Sequence, residues 1–352
     1  MGDFSDSLKE QVIQAVSDGV PLKVSGGGSK EFLGRHTCGR ALHTSQHHGI
    51  VSYEPSELVI TARTGTLLQE IEAILSEKKQ MLACEAPHFG KQATFGGMIA
   101  CGLSGPRRPF TGAVRDFVLG CRIINGNGEI LTFGGQVMKN VAGYDVSRLM
   151  TGAMGTLGVL LEVSLRVLPQ PTTDVTVRLP CSLELALEQM TIRSGQPLPL
   201  SGSCFDGEFL YFRLSGPKPA VSEAVLILKG ECIGNGADFW RRLNEQTLPF
   251  FSGDEALWRF SVAPASPPID INGRWLYDWS GAQRWLKSDV SPSLAFQAAE
   301  KLGGHAMLYQ GGNREGDIYH PLPRKLSELH RNLKKAFDPT GVLNPNRMYR
   351  EW

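Results

Sequence analysis

Three glycine-rich segments contain the residues of this chain that could bind a phosphate group. The first segment, Ser25-Gly-Gly-Gly-Ser29, follows a short apolar strand that begins near Pro21. Consecutive glycines let backbone N–H groups approach an anion closely, and a diphosphate is the anion that such a loop most often binds. The candidate binding residues here are Ser25, Gly26, Gly27, Gly28 and Ser29.

The other two segments have related compositions. One runs from Ala93 to Met98 and continues to Gly102 and Gly105, and the other spans 152–158. A Rossmann motif is excluded because Glu31 occupies the position of its last glycine, and no Gly-Lys-Ser/Thr ends any segment as a Walker loop requires. A single glycine run is often an ordinary turn, but three separated runs favour an extended ligand that lies across a domain.

Alternating strands and helices position these segments in the first half of the chain. The pattern predicts strands over 58–63, 117–124, 129–133 and 157–167, with an Asn127-Gly128 hairpin turn. It also predicts a helix that starts with a Thr66–Gln69 capping box and a short helix capped by Asp145. Pro169 and Pro171 mark the end of this region.

The second half has a different pattern. All six tryptophans lie after residue 239, and strand candidates cover 209–214, 257–262, 275–279 and 305–309. An amphipathic helix is predicted over 322–337. The fold class is therefore predicted as α+β, with domains over 1–171 and 172–320 and a C-terminal helix and tail over 321–352 that pack on the first domain.

Composition excludes several functional classes. The chain has 352 residues and a formal charge of +1, so nucleic-acid binding is not indicated. Its seven cysteines form no Cys-x-x-Cys pair, which excludes a zinc ribbon or an iron–sulfur cluster. No signal peptide or apolar run of about 18 residues is present, so we expect a cytoplasmic protein without direct membrane insertion.

The glycine segments resemble the FAD-binding domain of the vanillyl-alcohol-oxidase family, also called PCMH-type. The similarity lies in Ser25–Ser29, Ala93–Met98, Val114–Gly120 and the Gly-Thr-Leu-Gly-Val-Leu run at 155–160. The terminal Phe-Asp-Pro-Thr-Gly-Val-Leu-Asn-Pro is similar to the ending of the family's 2-hydroxyacid dehydrogenases. The stretches 102–109 and 137–145 look like the small FAD-binding subunits of bacterial glycolate oxidases.

This resemblance implies a set of cofactor contacts. Residues 25–29 would hold the FAD diphosphate, and Thr94, Gly96 and Gly97 would continue the cradle. The middle of the cofactor would lie near Gly102, Gly105 and Arg107, and its flavin or adenine end near Gly155, Thr156, Gly158 and Val159. The first loop runs Gly28-Ser29-Lys30 without a histidine, so FAD is expected to be non-covalent.

The resemblance also implies partners: a larger FAD-containing catalytic subunit, an iron–sulfur subunit and a small substrate of the glycolate type. Any membrane association would come through those subunits. The family's catalytic members bind a metal with clustered cap-domain histidines, whereas His305, His320 and His330 are widely spaced here. Catalytic residues are therefore unassigned, no metal site is predicted, and a non-catalytic FAD-bearing scaffold is an alternative. A stand-alone nicotinamide-dependent reductase has no dedicated sequence feature.

Several other residues have two interpretations. His43 and His47 are spaced as a helical metal pair, although their loop-like surroundings favour simple hydrogen bonding. Arg107 and Arg108 would contact phosphates, an acidic partner or only solvent. Lys139 and Asn140 are candidates for hydrogen bonds to the flavin's polar edge. Tyr144 and Asp145 are candidates for residues that face the flavin, although a helix cap also explains Asp145. The tryptophans favour a domain core or a subunit interface over a redox relay.

Overall fold

A computed structural model of the chain describes residues 2–135 and 145–350. The α-helices in these ranges are α1 (Ser5–Asp18), α2 (Leu68–Glu77), α3 (Phe95–Cys101), α4 (Arg108–Thr111), α5 (Val114–Phe117), α6 (Val146–Met150), α7 (Leu183–Ser194), α8 (Lys218–Leu228), α9 (Gly236–Asn244), α10 (Pro292–Glu300) and α11 (Arg324–Phe337).

The strands in the same ranges are β1 (Leu22–Ser25), β2 (Arg40–His43), β3 (Ile50–Glu54), β4 (Val59–Arg63), β5 (Gln80–Met81), β6 (Val118–Ile124), β7 (Ile130–Gly134), β8 (Val159–Arg166), β9 (Leu168–Pro169), β10 (Thr173–Pro180), β11 (Leu200–Phe205), β12 (Phe209–Gly216), β13 (Glu231–Ile233), β14 (Leu257–Ser261), β15 (Arg274–Asp278), β16 (Gln283–Lys287) and β17 (His305–Gln310).

Two compact units make up the chain. The first unit comprises Met1–Leu103, Ala113–Pro169 and Leu322–Trp352, and the second comprises Ser104–Gly112 and Gln170–Pro321. Within the part of the chain that the structure describes, none of the helices has the length and apolar character needed to cross a lipid bilayer.

The first unit is built on a five-stranded antiparallel sheet in the order β3-β4-β8-β6-β7. Strand β8 is its centre, and six of its eight residues are buried, as the apolar run at 157–167 predicted. The Asn127-Gly128 turn connects β6 to β7, which confirms the predicted hairpin. Beside this sheet, β1 and β2 form a parallel pair that ends at Ser25 and His43.

Helix α2 starts without the predicted capping box. Its first helical residue is Leu68, and the N-cap residue Leu67 has no side-chain hydrogen bond. The Thr66 hydroxyl instead donates to the Arg63 carbonyl at 2.7 Å and accepts from the Gly49 N–H at 2.8 Å. The prediction was wrong because a tertiary contact occupies the hydroxyl that the helix would have used. The Asp145 cap of α6 is confirmed by a bond from the Arg148 N–H at 3.0 Å.

A buried ion pair fixes the C-terminal tail within the first unit. Lys334 Nζ donates to Asp338 Oδ2 at 2.6 Å, to the Leu343 carbonyl at 2.7 Å and to the Thr156 carbonyl at 2.8 Å. Asp338 also accepts the N–H groups of Val342 and Leu343. Burial lowers the pKa of Lys334, and the Asp338 carboxylate opposes that shift. All three ammonium donors therefore have acceptors, as a buried lysine requires.

The second unit is an eight-stranded antiparallel sheet in the order β13-β10-β12-β11-β15-β16-β14-β17. Residues of α7 and α8 form one core with β10, β11 and β12. Residues of α10 form another core with β14, β16 and β17. Trp240, Trp258, Trp279 and Trp285 are all buried in this unit, which confirms the core interpretation for these four tryptophans.

We predict that Lys334→Met lowers the free energy of unfolding by about 3 kcal/mol, because the Asp338 carboxylate stays buried without its counter-ion. Urea denaturation of the full chain measures this change. Lys335→Met is the matched control, since Lys335 is the exposed neighbour on the same helix. Equal effects of the two substitutions would contradict a structural role for the buried pair.

Candidate functional site

A cleft in the first unit brings together most of the predicted cofactor residues. It contains about 740 Å³ of empty space, including space open to solvent, within the size range of small-molecule sites. The predicted residues that line it are Ser25, Gly26, Gly27, Gly28, Ser29, Thr94, Gly96, Gly97, Gly155 and Gly158. Residues distant in the sequence therefore meet on one surface, as an extended ligand requires.

The first glycine loop lines this cleft over residues 25–29. It begins where β1 ends, and Gly28 has a φ of 74°, in the left-handed region that favours glycine. Among the residues that the structure describes, no acceptor bonds the N–H groups of Gly26, Gly27, Gly28 or Ser29. The Ser25 hydroxyl lies 3.0 Å from His43 Nδ1. Successive amides without internal partners form the kind of concavity that binds phosphate groups.

Backbone packing explains why the loop lacks side chains. A Cβ atom added at Gly27 would lie 1.5 Å from the Gln92 carbonyl oxygen, and one at Gly26 would lie 2.3 Å from Thr94 Oγ1. These separations are far below any real Cβ contact. The first loop can therefore pack this closely against Gln92 and Thr94 only because residues 26 and 27 are both glycine.

The second segment forms a wall of the cleft, and its first amides are already bonded within the protein. The N–H of Phe95 donates to the Thr66 carbonyl and that of Gly96 to the Thr64 carbonyl, both at 2.8 Å. The N–H of Gly97 donates to the Thr94 hydroxyl at 3.2 Å. The N–H groups of Gly96 and Gly97 are therefore occupied within the protein, and this segment contributes to the cleft as a lining surface.

The third segment is held in place by the C-terminal tail. Asn344 Nδ2 donates to the Met154 carbonyl at 2.7 Å, and Asn344 Oδ1 accepts the Val24 N–H at 2.7 Å. Gly155, with a φ of 73°, and Gly158 line the cleft. One asparagine therefore connects the strand that enters the first loop to the turn that forms another wall.

Three predicted residues of the first unit have structural positions away from the cleft lining. Thr156 is buried, and its hydroxyl donates to the Ala153 carbonyl at 2.7 Å. Val159 is buried in the apolar core beside α1. Gly102 ends α3 with a φ of 61°, and a Cβ there would lie 3.1 Å from Gly152 Cα. These residues support the turns that carry the cleft.

Gly105 and Arg107 belong to the second unit and are absent from the lining of this cleft. The Gly105 carbonyl accepts from Trp279 Nε1 at 3.0 Å. Arg107 is buried, with Nη2 3.6 Å from Asp174 Oδ2, and the Arg108 guanidinium lies 4.2 Å from the Trp279 ring centroid. Neither arginine is in a solvated loop.

Two cationic side chains of the cleft were missed by the sequence analysis. Lys30 is only 6% exposed, and its Nζ donates to the His88 carbonyl at 3.0 Å and to Ser29 Oγ at 3.3 Å. Arg347 Nη1 donates to the Arg35 carbonyl at 2.9 Å. The lysine directly follows the first loop, which is a signal that could have been used, whereas Arg347 reaches the cleft only through tertiary folding.

The remaining candidates have simpler positions. His47 is fully buried and accepts the Phe4 N–H at 3.1 Å, so hydrogen bonding explains it better than the metal-pair alternative. In the described ranges, no group of three or more His, Cys, Asp or Glu residues could hold a metal ion. Lys139, Asn140 and Tyr144 lie outside the described residues.

Comparisons with known proteins agree with a cofactor cleft in the first unit. A family model described as an FAD binding domain matches residues 5–134. The glycolate oxidase subunit GlcE of Escherichia coli K12 is 50% identical over 349 residues, which cover 99% of this chain and 98% of that protein. The chain belongs to the GlcE family.

Other members of the wider group match only a part of the chain. The glycolate oxidase subunit GlcD of Bacillus subtilis 168 is 33% identical over 163 residues, covering 45% of this chain and 34% of GlcD. A D-lactate dehydrogenase of Anaerostipes hadrus is 34% identical over 131 residues, covering 37% of this chain and 27% of that enzyme. Each of these two relatives therefore matches less than half of this chain.

A solved structure confirms the fold class. An alkyldihydroxyacetonephosphate synthase superposes with a TM-score of 0.67 at 15% identity, covering 97% of this chain and 74% of its own. At that identity, the likeness concerns the fold alone. The architecture predicted as PCMH-type α+β is thus the one observed.

We predict that Gly27→Val abolishes FAD retention and leaves the second unit folded, because the new side chain would meet the Gln92 backbone. The bound flavin absorbance after gel filtration measures retention, and tryptophan fluorescence reports the second unit. Gly234→Val is the control, since a Cβ there meets nothing within 4 Å. Retention equal to that of the control would remove the first loop from the cofactor site.

Lys30→Met is expected to weaken FAD affinity about tenfold, or about 1.4 kcal/mol, through loss of a charged donor beside the phosphate-binding loop. Riboflavin, which has no diphosphate, should lose little affinity. Fluorescence titration of both flavins measures the difference. Lys23→Met serves as the control, because Lys23 pairs with Glu31 in an exposed position. A uniform loss for both flavins would place Lys30 away from the phosphates.

Proposed function

We propose that this chain is the FAD-binding subunit of a glycolate oxidase complex, which oxidises glycolate to glyoxylate and passes the electrons through flavin to partner subunits. The observation that carries this proposal is the first glycine loop, which lines a cleft together with Lys30 and whose four N–H groups have no acceptor among the described residues. Amides without internal partners and a cation match a diphosphate in charge and in donor geometry.

Each part of the cleft has a role in this proposal. Residues 26–29 bind the diphosphate through their amides, and Lys30 offsets its negative charge. The turn at 153–158, held by Asn344, provides a wall formed by Met154, Gly155 and Gly158. Flavin supplies the redox chemistry when bound, since it accepts hydride at N5 from the carbon that carries the substrate hydroxyl.

We propose that the cofactor is held without a covalent bond. Relatives of this fold with attached flavin use a histidine or a cysteine. Of the described residues that line the cleft, only Cys101 has such a side chain. Burial raises the pKa of the Cys101 thiol, so the nucleophilic thiolate is disfavoured at neutral pH.

The partners belong to the same proposal. The name of the E. coli relative includes the word subunit, and a complex of several chains would explain it. We propose a larger FAD-containing catalytic subunit and an iron–sulfur subunit as the partners. The seven cysteines of this chain are all free in the structure and are spread over both units, so cluster ligands would come from another chain.

A second candidate function is a non-catalytic FAD-bearing scaffold that stabilises the catalytic subunit. The placement of the histidines favours it. His320 packs against Phe296 with 5.3 Å between ring centroids, and His330 lies on α11 of the first unit. Neither contributes to a ligand cluster in the described residues.

Anaerobic addition of glycolate to the purified, FAD-loaded chain is expected to leave the flavin oxidised or nearly so until the catalytic partner is added. Absorbance of the oxidised flavin near its visible maximum follows the reaction. Rapid bleaching of the chain alone would identify an independent enzyme and eliminate the scaffold. A chain that takes up no FAD at all would refute both candidates.

A further inference from the structure

One face of the second unit's sheet carries charged groups that the proposed cofactor cleft does not use. Arg259 on β14 pairs with Met307 on β17 and with Trp285 on β16, and Ser261 pairs with His305. Paired residues, and residues two apart on a strand, share a face. Arg259, His305, Tyr309 and Trp285 therefore lie on the same face.

The opposite face of these strands is an apolar core. Trp258, Phe260, Leu286 and Leu308 pack there with residues of α10. A conventional amphipathic sheet would place Arg259 in solvent on the outer face. Arg259 is instead only partly exposed, and burial lowers the pKa of its guanidinium. The guanidinium of Arg259 is therefore partly shielded from solvent.

Arg259 differs from the other buried arginines of this unit. Arg284 donates to the carbonyls of Gly281, Pro267 and Ser266, and Arg213 donates to Ser201. For Arg259, the described residues provide the Tyr309 ring, 5.7 Å from its guanidinium carbon, and no hydrogen-bond acceptor. The five donors of the Arg259 guanidinium are therefore open to a ligand that carries acceptor oxygens.

The groups around Arg259 are also positive or neutral. Tyr309 and Tyr319 act electrostatically on Arg259, and Arg259, His320 and Arg108 act on His305. None of these groups is a carboxylate. On the same face, Asp278 is separated from His305 by two intervening strands, and it accepts from the Trp279 N–H and from Gln283 Nε2. The positive charge is therefore not neutralised locally.

We propose that Arg259 and His305 form a binding site for a small carboxylate on the second unit. The arginine fork binds both carboxylate oxygens, and the imidazole donates to a third oxygen of the ligand. The site itself is inferred from this face alone. Naming the ligand as glycolate, a 2-hydroxy acid, rests on the proposed function.

Isothermal titration of the full-length chain with glycolate tests this proposal, with uncharged glycolamide as the matched ligand. Glycolate is expected to bind and glycolamide to bind at least tenfold more weakly. Arg259→Met should weaken glycolate at least tenfold, and His305→Asn severalfold. Arg241→Met is the control, because Arg241 is exposed on α9 of the same unit.

Visible absorbance on the same samples separates this site from the proposed cofactor function. Normal flavin content with lost glycolate binding in Arg259→Met supports the site. A colourless chain that still binds glycolate through Arg259 also supports it, although the proposed function would then fail. If Arg259→Met unfolds, Arg259→Lys keeps the charge but loses the fork and should still weaken binding.

Two outcomes would overturn the proposal. One is equal glycolate affinity in the wild type, Arg259→Met and Arg259→Lys. The other is no carboxylate binding by the wild-type chain, together with loss of catalytic-subunit association in Arg259→Met, since Arg259 would then pair with an acidic side chain of that subunit.

Discussion

The close approach of two backbones at Gly27 and Gln92 is the constraint on which the cofactor cleft depends. No other residue type fits at Gly27, because a Cβ would lie 1.5 Å from a carbonyl oxygen. This contact sets the first loop against the start of α3, whose amides are bonded to Thr64 and Thr66. The free donors of the first loop are thereby fixed on a rigid support, which limits the reorganisation needed when an anion binds.

The C-terminal tail completes the same cleft from the other side. Asn344 bonds to both Val24 and Met154, and Lys334 bonds to Thr156 and to the tail itself. The two polar side chains join three segments that are distant in the sequence, and a parallel β-bridge between Leu22 and Leu343 adds backbone hydrogen bonds between two of them. Buried polar networks of this kind specify one arrangement, because every alternative leaves a donor or an acceptor unpaired.

Much of the fold could be predicted because its strands are apolar runs with clear boundaries. The β8 run, the Asn127-Gly128 hairpin and strands β12, β14, β15 and β17 of the second unit follow directly from composition and turn chemistry, whereas β10, β11, β13 and β16 of the same sheet were not predicted. The start of α2 could not be predicted, because the Thr66 hydroxyl bonds to a residue seventeen positions away. A local sequence pattern cannot show that a distant residue will bond to the hydroxyl that a helix cap would need.

The candidate site was predictable to the extent that glycine marks close backbone approach. The three loops were found in this way, whereas Asn344 and Arg347 reach the cleft from the C-terminal tail, and Lys30 is the non-glycine residue that directly follows the first loop. Gly105 and Arg107 were grouped with the cofactor by motif, yet their contacts are with Trp279 and Asp174 of the second unit. Although both residues closely follow the second glycine segment in the sequence, neither is among the residues that line the cleft.

The bond between Val24 and Asn344 joins residues 320 positions apart. During synthesis on the ribosome, the segment around Val24 emerges long before Asn344 is translated. The cleft therefore stays incomplete until Asn344 has been made, and closing so long a loop slows folding. A nascent chain would thus capture a cofactor only after both segments are present, so that cofactor binding would report that the chain has been made at least as far as Asn344.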